Sequence, residues 1–248
     1  VRDLVFLVTG AADGVGLQLV ARLAADGRRV LATDLDNHRL EEAARVAAWP
    51  TDLVRLAPLD VREPRGWAAA FALARRAFGG VDVLVHAAVP LRATEAAGAE
   101  LDGAAQALEA SATHMLPAGG HVVVIAPGQA LHAPIRATCA ATDATLRPQG
   151  LAITAVCTGA IACLENGLAL RAAAACPAHG ARVSAERVVD TVLGRVLEAR
   201  PRQAFLPAFA GWATWLGELF PAVTARLRGR ARPVAKVAAR AAAPAQRA

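Results

Sequence analysis

Residues 5–24, VFLVTGAADGVGLQLVARLA, run from an apolar stretch through three glycines into apolar residues at helical spacing. This is the pattern of a strand that turns tightly into a helix. Gly10, Gly14 and Gly16 allow unusual dihedrals and let the main chain approach a pyrophosphate, whose charge is met by free N–H groups at the helix N-terminus. Two features downstream fit the same ligand. The next apolar run ends at Asp34, 18 residues after Gly16, where a carboxylate accepts hydrogen bonds from an adenosine ribose. A third run leads to Asp60 and Val61, suited to the exocyclic amine and ring face of an adenine. The Asp34 charge repels a 2′-phosphate, and Leu35 follows it with no compensating cation, so the expected cofactor is NAD rather than NADP.

Beyond this stretch, short β-branched runs keep alternating with alanine-rich helical ones. Strands are expected near 4–9, 29–34, 53–57, 81–86, 121–126, 151–157 and 203–207, with helices near 15–26, 38–48, 64–78, 101–116, 136–146 and 184–199. The last helix has Ser184 as N-cap and Glu186 in its first turn. The alternation predicts an α/β chain built on a doubly wound parallel sheet of about seven strands. A chain of 248 residues is long enough to bury one substantial core. The expected organisation is a single nucleotide-binding domain over 1–207, an apolar amphipathic segment over 208–225 and a basic, poorly ordered tail over 226–248.

Charge placement narrows the partners. Seven of the 27 basic residues lie in 226–248 with no acidic residue among them, which leaves 20 basic against 21 acidic residues elsewhere, a net of −1. The body is therefore near neutral, and no specific nucleic-acid partner is expected. Cys139, Cys157, Cys163 and Cys176 are 18, 6 and 13 positions apart, which matches neither a redox CxxC pair nor a zinc site, so inert thiols and no metal are expected. The N-terminal apolar run lacks a basic lead-in and is too short for a signal peptide, which makes the cytoplasm the expected location. Phe205, Phe209, Trp212, Leu216 and Leu219 form one apolar stripe if helical. With the basic tail behind it, that stripe could touch an anionic membrane surface, but packing on the core is the favoured reading.

The chain resembles the short-chain dehydrogenase/reductase family. The matching residues are Thr9-Gly10-Ala11-Ala12-Asp13-Gly14-Val15-Gly16, which fit TGxxxGxG, followed by Asp34 and Asp60-Val61. GGHVVVIAPG and QGLAITAVCTGAIAC are similar to the family's fifth and sixth strands. The resemblance implies a Rossmann fold and hydride transfer between a nicotinamide and an alcohol or carbonyl. It also implies dinucleotide contacts at Thr9, Gly10, Ala12, Asp13, Gly14, Val15, Gly16, Asp34, Leu35, Asp60, Val61, Ala87 and Ala88.

The family's proton-transfer groups are absent. Its members use a tyrosine acid/base, a lysine four residues later, a serine and often an asparagine. This chain has no tyrosine, and its only lysine is Lys236 in the tail. The segment CAATDATL resembles the family's catalytic helix, which implies Cys139 at the tyrosine position and Asp143 at the lysine position, with Pro127, after Ala126, at the serine position. An aspartate one turn from a thiol raises its pKa, the reverse of what the lysine does. Where the family has NNAG, this chain reads His86-Ala87-Ala88-Val89, and from Leu146 it passes directly to RPQG, roughly three helical turns short, or on the order of 11 residues. The resemblance implies that this helix is one family members commonly pack against a partner subunit, so a shortened one leaves the oligomeric state open. His132 and His114 are the remaining groups with a usable pKa, and His132 is the candidate substitute. The expectation is a dinucleotide-binding homologue with weak or no dehydrogenase activity. The alternatives are an active enzyme using His132, or a noncatalytic protein at a membrane surface. The substrate-side segments, 88–100 and 160–182, name no substrate.

Overall fold

A computed structural model describes residues 4–88, 96–116, 118–127, 129–158, 161–162 and 183–206, by backbone alone at 96–100, 127, 129–132 and 161–162. The apolar segment over 208–225 and the basic tail therefore lie outside the described residues, as do Cys163 and Cys176.

The described elements are β1 (Val5–Thr9), α1 (Gly14–Ala25), β2 (Arg29–Asp34), α2 (Asn37–Val46), β3 (Val54–Pro58), α3 (Pro64–Phe78), β4 (Val83–His86), α4 (Ala96–His114), β5 (Gly120–Pro127), α5 (Gln129–Leu146), β6 (Leu151–Thr158), β7 (Ile161–Ala162), β8 (Val183–Ser184), α6 (Ala185–Thr191) and β9 (Gln203–Leu206). Seven of the strands form one sheet in the order β3-β2-β1-β4-β5-β6-β9, every pair parallel. All seven fall where the sequence places them. Parallel strands covered on both faces must be apolar throughout, and β1 and β6 are buried at every position.

Alternation along the strands sorts the core into two layers. Phe6, Val8, Val30, Val85 and Val156 face Leu19 and Val20 of α1, Leu40 of α2 and Val188 and Val189 of α6. Leu7, Leu31, Leu84, Val122 and Ile153 face Trp67 and Phe71 of α3, Leu108 of α4 and Ile135 of α5. Helices on both faces of one parallel sheet make the doubly wound arrangement. Strand order reverses beside β1, whose neighbours are β2 and β4, and in such sheets ligands bind at the carboxyl ends of the strands beside that switch point.

The helices depart from expectation in their bounds. α4 begins at Ala96 rather than 101, and α5 at Gln129 rather than 136. Pro134 sits inside α5, where it forfeits one hydrogen bond near the helix start rather than at its centre. Ser184 caps α6 as expected, accepting from Arg187 N at 3.2 Å. The helix then widens into a π-helical turn (Val192–Val196) before a last turn (Leu197–Ala199). Among the described residues no helix is long and apolar enough to cross a membrane.

The foot of α5 is locked to the sheet by one buried carboxylate. Asp143, 1% exposed, accepts from Arg147 Nε at 2.9 Å and Ile153 N at 2.8 Å, and pairs with Arg202 Nε at 3.1 Å. Burial alone would raise its pKa, but the Arg147 and Ile153 hydrogen bonds and the two guanidinium charges outweigh that and hold it below the usual carboxylate range. Asp143→Ala leaves the buried Ile153 N–H without its acceptor and removes the bond to Arg147, and is expected to cost about 1–3 kcal/mol, read from the shift in urea midpoint. Asp143→Asn, which keeps an acceptor, should cost less.

Candidate functional site

The cradle is built by close backbone approach. Gly10 has φ of +68° and Gly14 of +54°, the left-handed region that favours glycine. A Cβ on Gly10 would lie 2.8 Å from Ala88 Cα, and one on Gly16 would lie 2.1 Å from Gly10 O. The β1–α1 turn therefore nests against the residues after β4 with no space for a side chain. Asp13 is the N-cap of α1 and accepts from Gly14 N at 2.7 Å. Leu17 N donates to Asp13 O at 3.1 Å, so the N–H groups between them have no acceptor within the helix.

Thr9, Ala87 and Ala88 serve as framework. Thr9 Oγ1, buried at the end of β1, accepts from Ala87 N at 3.2 Å and Ala88 N at 3.3 Å and lies 3.0 Å from His86 Nδ1. These bonds tie the β1–α1 turn to the end of β4. Because the hydroxyl accepts two N–H groups, its own proton goes to His86 Nδ1, which leaves the imidazole proton on Nε2. His86 Nε2 is buried without a hydrogen-bond partner among the described residues. Gly103 of α4 lets the helix close over the ring, since a Cβ there would lie 3.6 Å from His86 Nε2. Burial pushes the His86 pKa down to about 4, so this histidine is packing rather than an acid or base.

The strand ends beside the cradle carry held carboxylates. Asp34 Oδ2 accepts from Ala12 N at 3.0 Å and Oδ1 from Asp36 N at 3.1 Å, which fixes the carboxylate while each oxygen keeps a second lone pair for a ribose hydroxyl. Leu35 beside it is 66% exposed. The end of β3, expected to meet an adenine, carries a carboxylate that is already engaged. Asp60 is gripped by Arg62, with Nε to Oδ1 at 2.9 Å, Nη2 to Oδ2 at 2.6 Å and the Arg62 N–H to Oδ1 at 3.0 Å. The Arg62 hydrogen bonds hold the Asp60 pKa below the usual range against burial, and an adenine amine would share the carboxylate with the guanidinium. Val61 O accepts from Trp67 Nε1 at 2.9 Å. Sequence reasoning missed Arg62, although an arginine two residues after an aspartate is within reach of it. It also missed Arg39, whose Nη2 lies 3.0 Å from Asp13 Oδ2 across the gap between α2 and α1.

The residues that the resemblance aligns with the family's tyrosine and lysine are not at this mouth. Asp143 bonds Ile153 N, five residues before the end of β6, which is about 16 Å of strand. At 1.5 Å per residue, α5 climbs that height in roughly 11 residues, which brings the chain level with the mouth near residue 132, not 139. The physical reason is the anchor: α5 runs for 18 residues rather than the short helix expected, its foot is tied where β6 begins, and its later turns, Cys139 among them, therefore lie toward the foot of the sheet. Cys139 is consequently 1% exposed and packed in the core, where burial, then Cys157 and Asp143, push its thiol up to about 12. Cys157 is likewise pushed up to about 12 by burial. His114 stacks on Phe71 with ring centroids 4.9 Å apart, at the far end of α4 from the mouth. The backbone at 132 lies in the first turn of α5, while the side chains of His132 and Pro127 are outside the described residues. Among the described residues no group of His, Cys, Asp and Glu could hold a metal.

Comparison with known proteins follows this geometry. A family model described as short chain dehydrogenase matches residues 4–129. The 3-alpha-(or 20-beta)-hydroxysteroid dehydrogenase of Mycobacterium tuberculosis (strain ATCC 25618 / H37Rv) is 42% identical over 82 residues, 33% of this chain and 30% of that protein. The 3-hydroxyacyl-CoA dehydrogenase type-2 of Bos taurus is 39% identical over 88 residues, 36% of this chain and 33% of that protein. The chain thus spans about a third of the length of the curated relatives it matches. A short-chain type dehydrogenase/reductase from Mycobacterium ulcerans superimposes with a TM-score of 0.64 at 20% identity, covering 82% of this chain and 88% of that one. A ribose-5-phosphate isomerase structure from Brucella melitensis 16M does so with 0.65 at 21%, covering 82% and 90%. At such identities the likeness is one of fold.

Two outcomes are expected. Gly16→Ala forces a Cβ onto Gly10 O and should cost about 3 kcal/mol or more in urea unfolding, with the cradle distorted. The second concerns pH. His121, buried with Nε2 2.8 Å from Thr154 Oγ1, is pushed down to about 4 like His86, by burial and then by Arg200 and Arg147. In the unfolded chain both histidines take up protons below about pH 6.5, whereas the folded protein resists until about 4. Stability is therefore full above pH 6.5 and falls as pH drops toward 4, by on the order of 3 kcal/mol per histidine. His86→Asn should remove about half of that slope between pH 7 and 4.5.

Proposed function

The chain belongs to the short-chain dehydrogenase family, an oxidoreductase family that binds nicotinamide dinucleotides, and from that premise we propose that it binds NAD but carries out little or no hydride transfer. The observation that carries this reading is the absence of any tyrosine from the chain, together with a buried Cys139 whose thiol stays protonated at neutral pH. The family's chemistry needs an acid/base at the mouth, and a thiol held near 12 in the core neither reaches the mouth nor exchanges a proton there.

The residues present fit the dinucleotide. Gly10 and Gly16 lack the side chains that would fill the cradle, the Val15 and Gly16 amides in the first turn of α1 have no acceptor within the helix, and the fixed Asp34 carboxylate faces the cradle with lone pairs to accept from ribose. The acidic Asp34, beside an exposed Leu35, favours NAD over NADP. When bound, the dinucleotide supplies or accepts the hydride, and the protein's part is to hold it. The relatives' steroid and hydroxyacyl-CoA substrates belong to those proteins, and the matched third of their length assigns no substrate to this chain.

A second reading rests on the early start of α5, which brings residue 132 level with the strand ends. In it His132 supplies the acid/base step. Titration with NADH and NADPH, followed by turnover over a panel of alcohols, ketones and aldehydes, tests both. Saturable NADH binding, weakened at least about tenfold in Asp34→Ala and with no turnover, is the expected result. Robust turnover lost in His132→Ala would replace the first reading with the second, and failure to bind either nucleotide would sink both.

A further inference from the structure

Arg39, the third residue of α2, spans from that helix to the N-cap of α1. Its Nη2 lies 3.0 Å from Asp13 Oδ2, with the two side chains 35% and 38% exposed. This pair closes a ring of bonds around the ribose end of the cradle. Ala12 N donates to Asp34, Asp36 N donates to the other oxygen of Asp34, Arg39 N donates to Asp36 Oδ1 at 3.1 Å, and the Arg39 guanidinium returns to Asp13 beside Ala12. Any substituent on a ribose hydroxyl held by Asp34 would emerge beside the Asp13–Arg39 pair, since Asp34 is bonded to the chain neighbour of Asp13 and to the cap of Arg39's own helix.

We infer that Arg39 is a latent phosphate ligand neutralised by Asp13, so that Asp13 acts with Asp34 in setting the preference for a dinucleotide without a 2′-phosphate. This deepens the dinucleotide reading above and rests on it. With the pair intact, Asp34 and Asp36 leave the ribose end net negative. With Asp13 uncharged, a guanidinium whose fork of donors matches phosphate oxygens is released into the same space. Leu35 supplies no cation, so Arg39 is the nearest basic group tied to this ring.

The test is the ratio of NADPH to NADH dissociation constants, read from the emission of the reduced nicotinamide. Asp13→Asn keeps a capping oxygen for Gly14 N and removes the charge. The ratio is expected to fall by at least about tenfold in Asp13→Asn. It should return toward the wild-type value when Arg39→Ala is added. An unchanged ratio in Asp13→Asn, or the same fall with Arg39 removed, overturns the inference. If the wild-type chain binds neither nucleotide, the dinucleotide reading itself fails and this inference with it, a different signature from an unchanged ratio. Should Asp13→Asn melt early by circular dichroism, Asp13→Ser, which also caps, gives the same comparison.

Discussion

At Gly16 the first turn of α1 passes so close to Gly10 that an added Cβ would stand 2.1 Å from its carbonyl oxygen. That contact leaves no freedom in how β1 hands over to α1. It sets the height at which α1 starts above the sheet, and with it the position of Ala12 N, the donor that orients Asp34. Gly10 meets Ala88 on the other side, where Thr9 ties down the two amides after β4. The cradle is thus a junction of three strand ends, and its shape follows from backbone packing before any polar side chain is considered.

On that junction the polar groups are arranged as mutual restraints. Asp34 is held by two amides, Asp60 by Arg62, and Asp13 by both Gly14 N and Arg39. Such groups lose little further freedom when a ligand arrives, which favours binding. They also mean that a ligand must share partners already engaged, most plainly at Asp60, where the guanidinium takes both oxygens.

The sheet was legible in the sequence because each strand is a short apolar run bounded by turn residues, and burial on both faces requires that composition. The glycine junction was legible for a similar reason, since few other motifs need glycine at those three positions. Helix starts were harder to read. α5 starts at Gln129 and carries Pro134 in its second turn, where a proline costs a single hydrogen bond that the packing of Ile135 and Cys139 against the sheet offsets. Arg39 and Arg62 were missed because their partners are set by how loops meet in space, and an arginine in sequence looks like any solvated side chain. The depth of Cys139 was hidden too. Residue spacing along one helix does not reveal height above a sheet, because helix and strand climb at different rates and only the anchor at Asp143 relates the two.

That anchor fixes which turns of α5 lie near the mouth and which lie in the core. A tyrosine restored at 139 and a lysine at 143 would enter the core and the foot of the sheet, among Arg147, Arg202 and the amide of Ile153. A proton-transfer pair at the mouth would have to be built on the opening turn of α5, which alone reaches that height. The buried aspartate thus divides one helix into two territories, a foot whose side chains are committed to holding the sheet and an opening turn that is free to change without disturbing them.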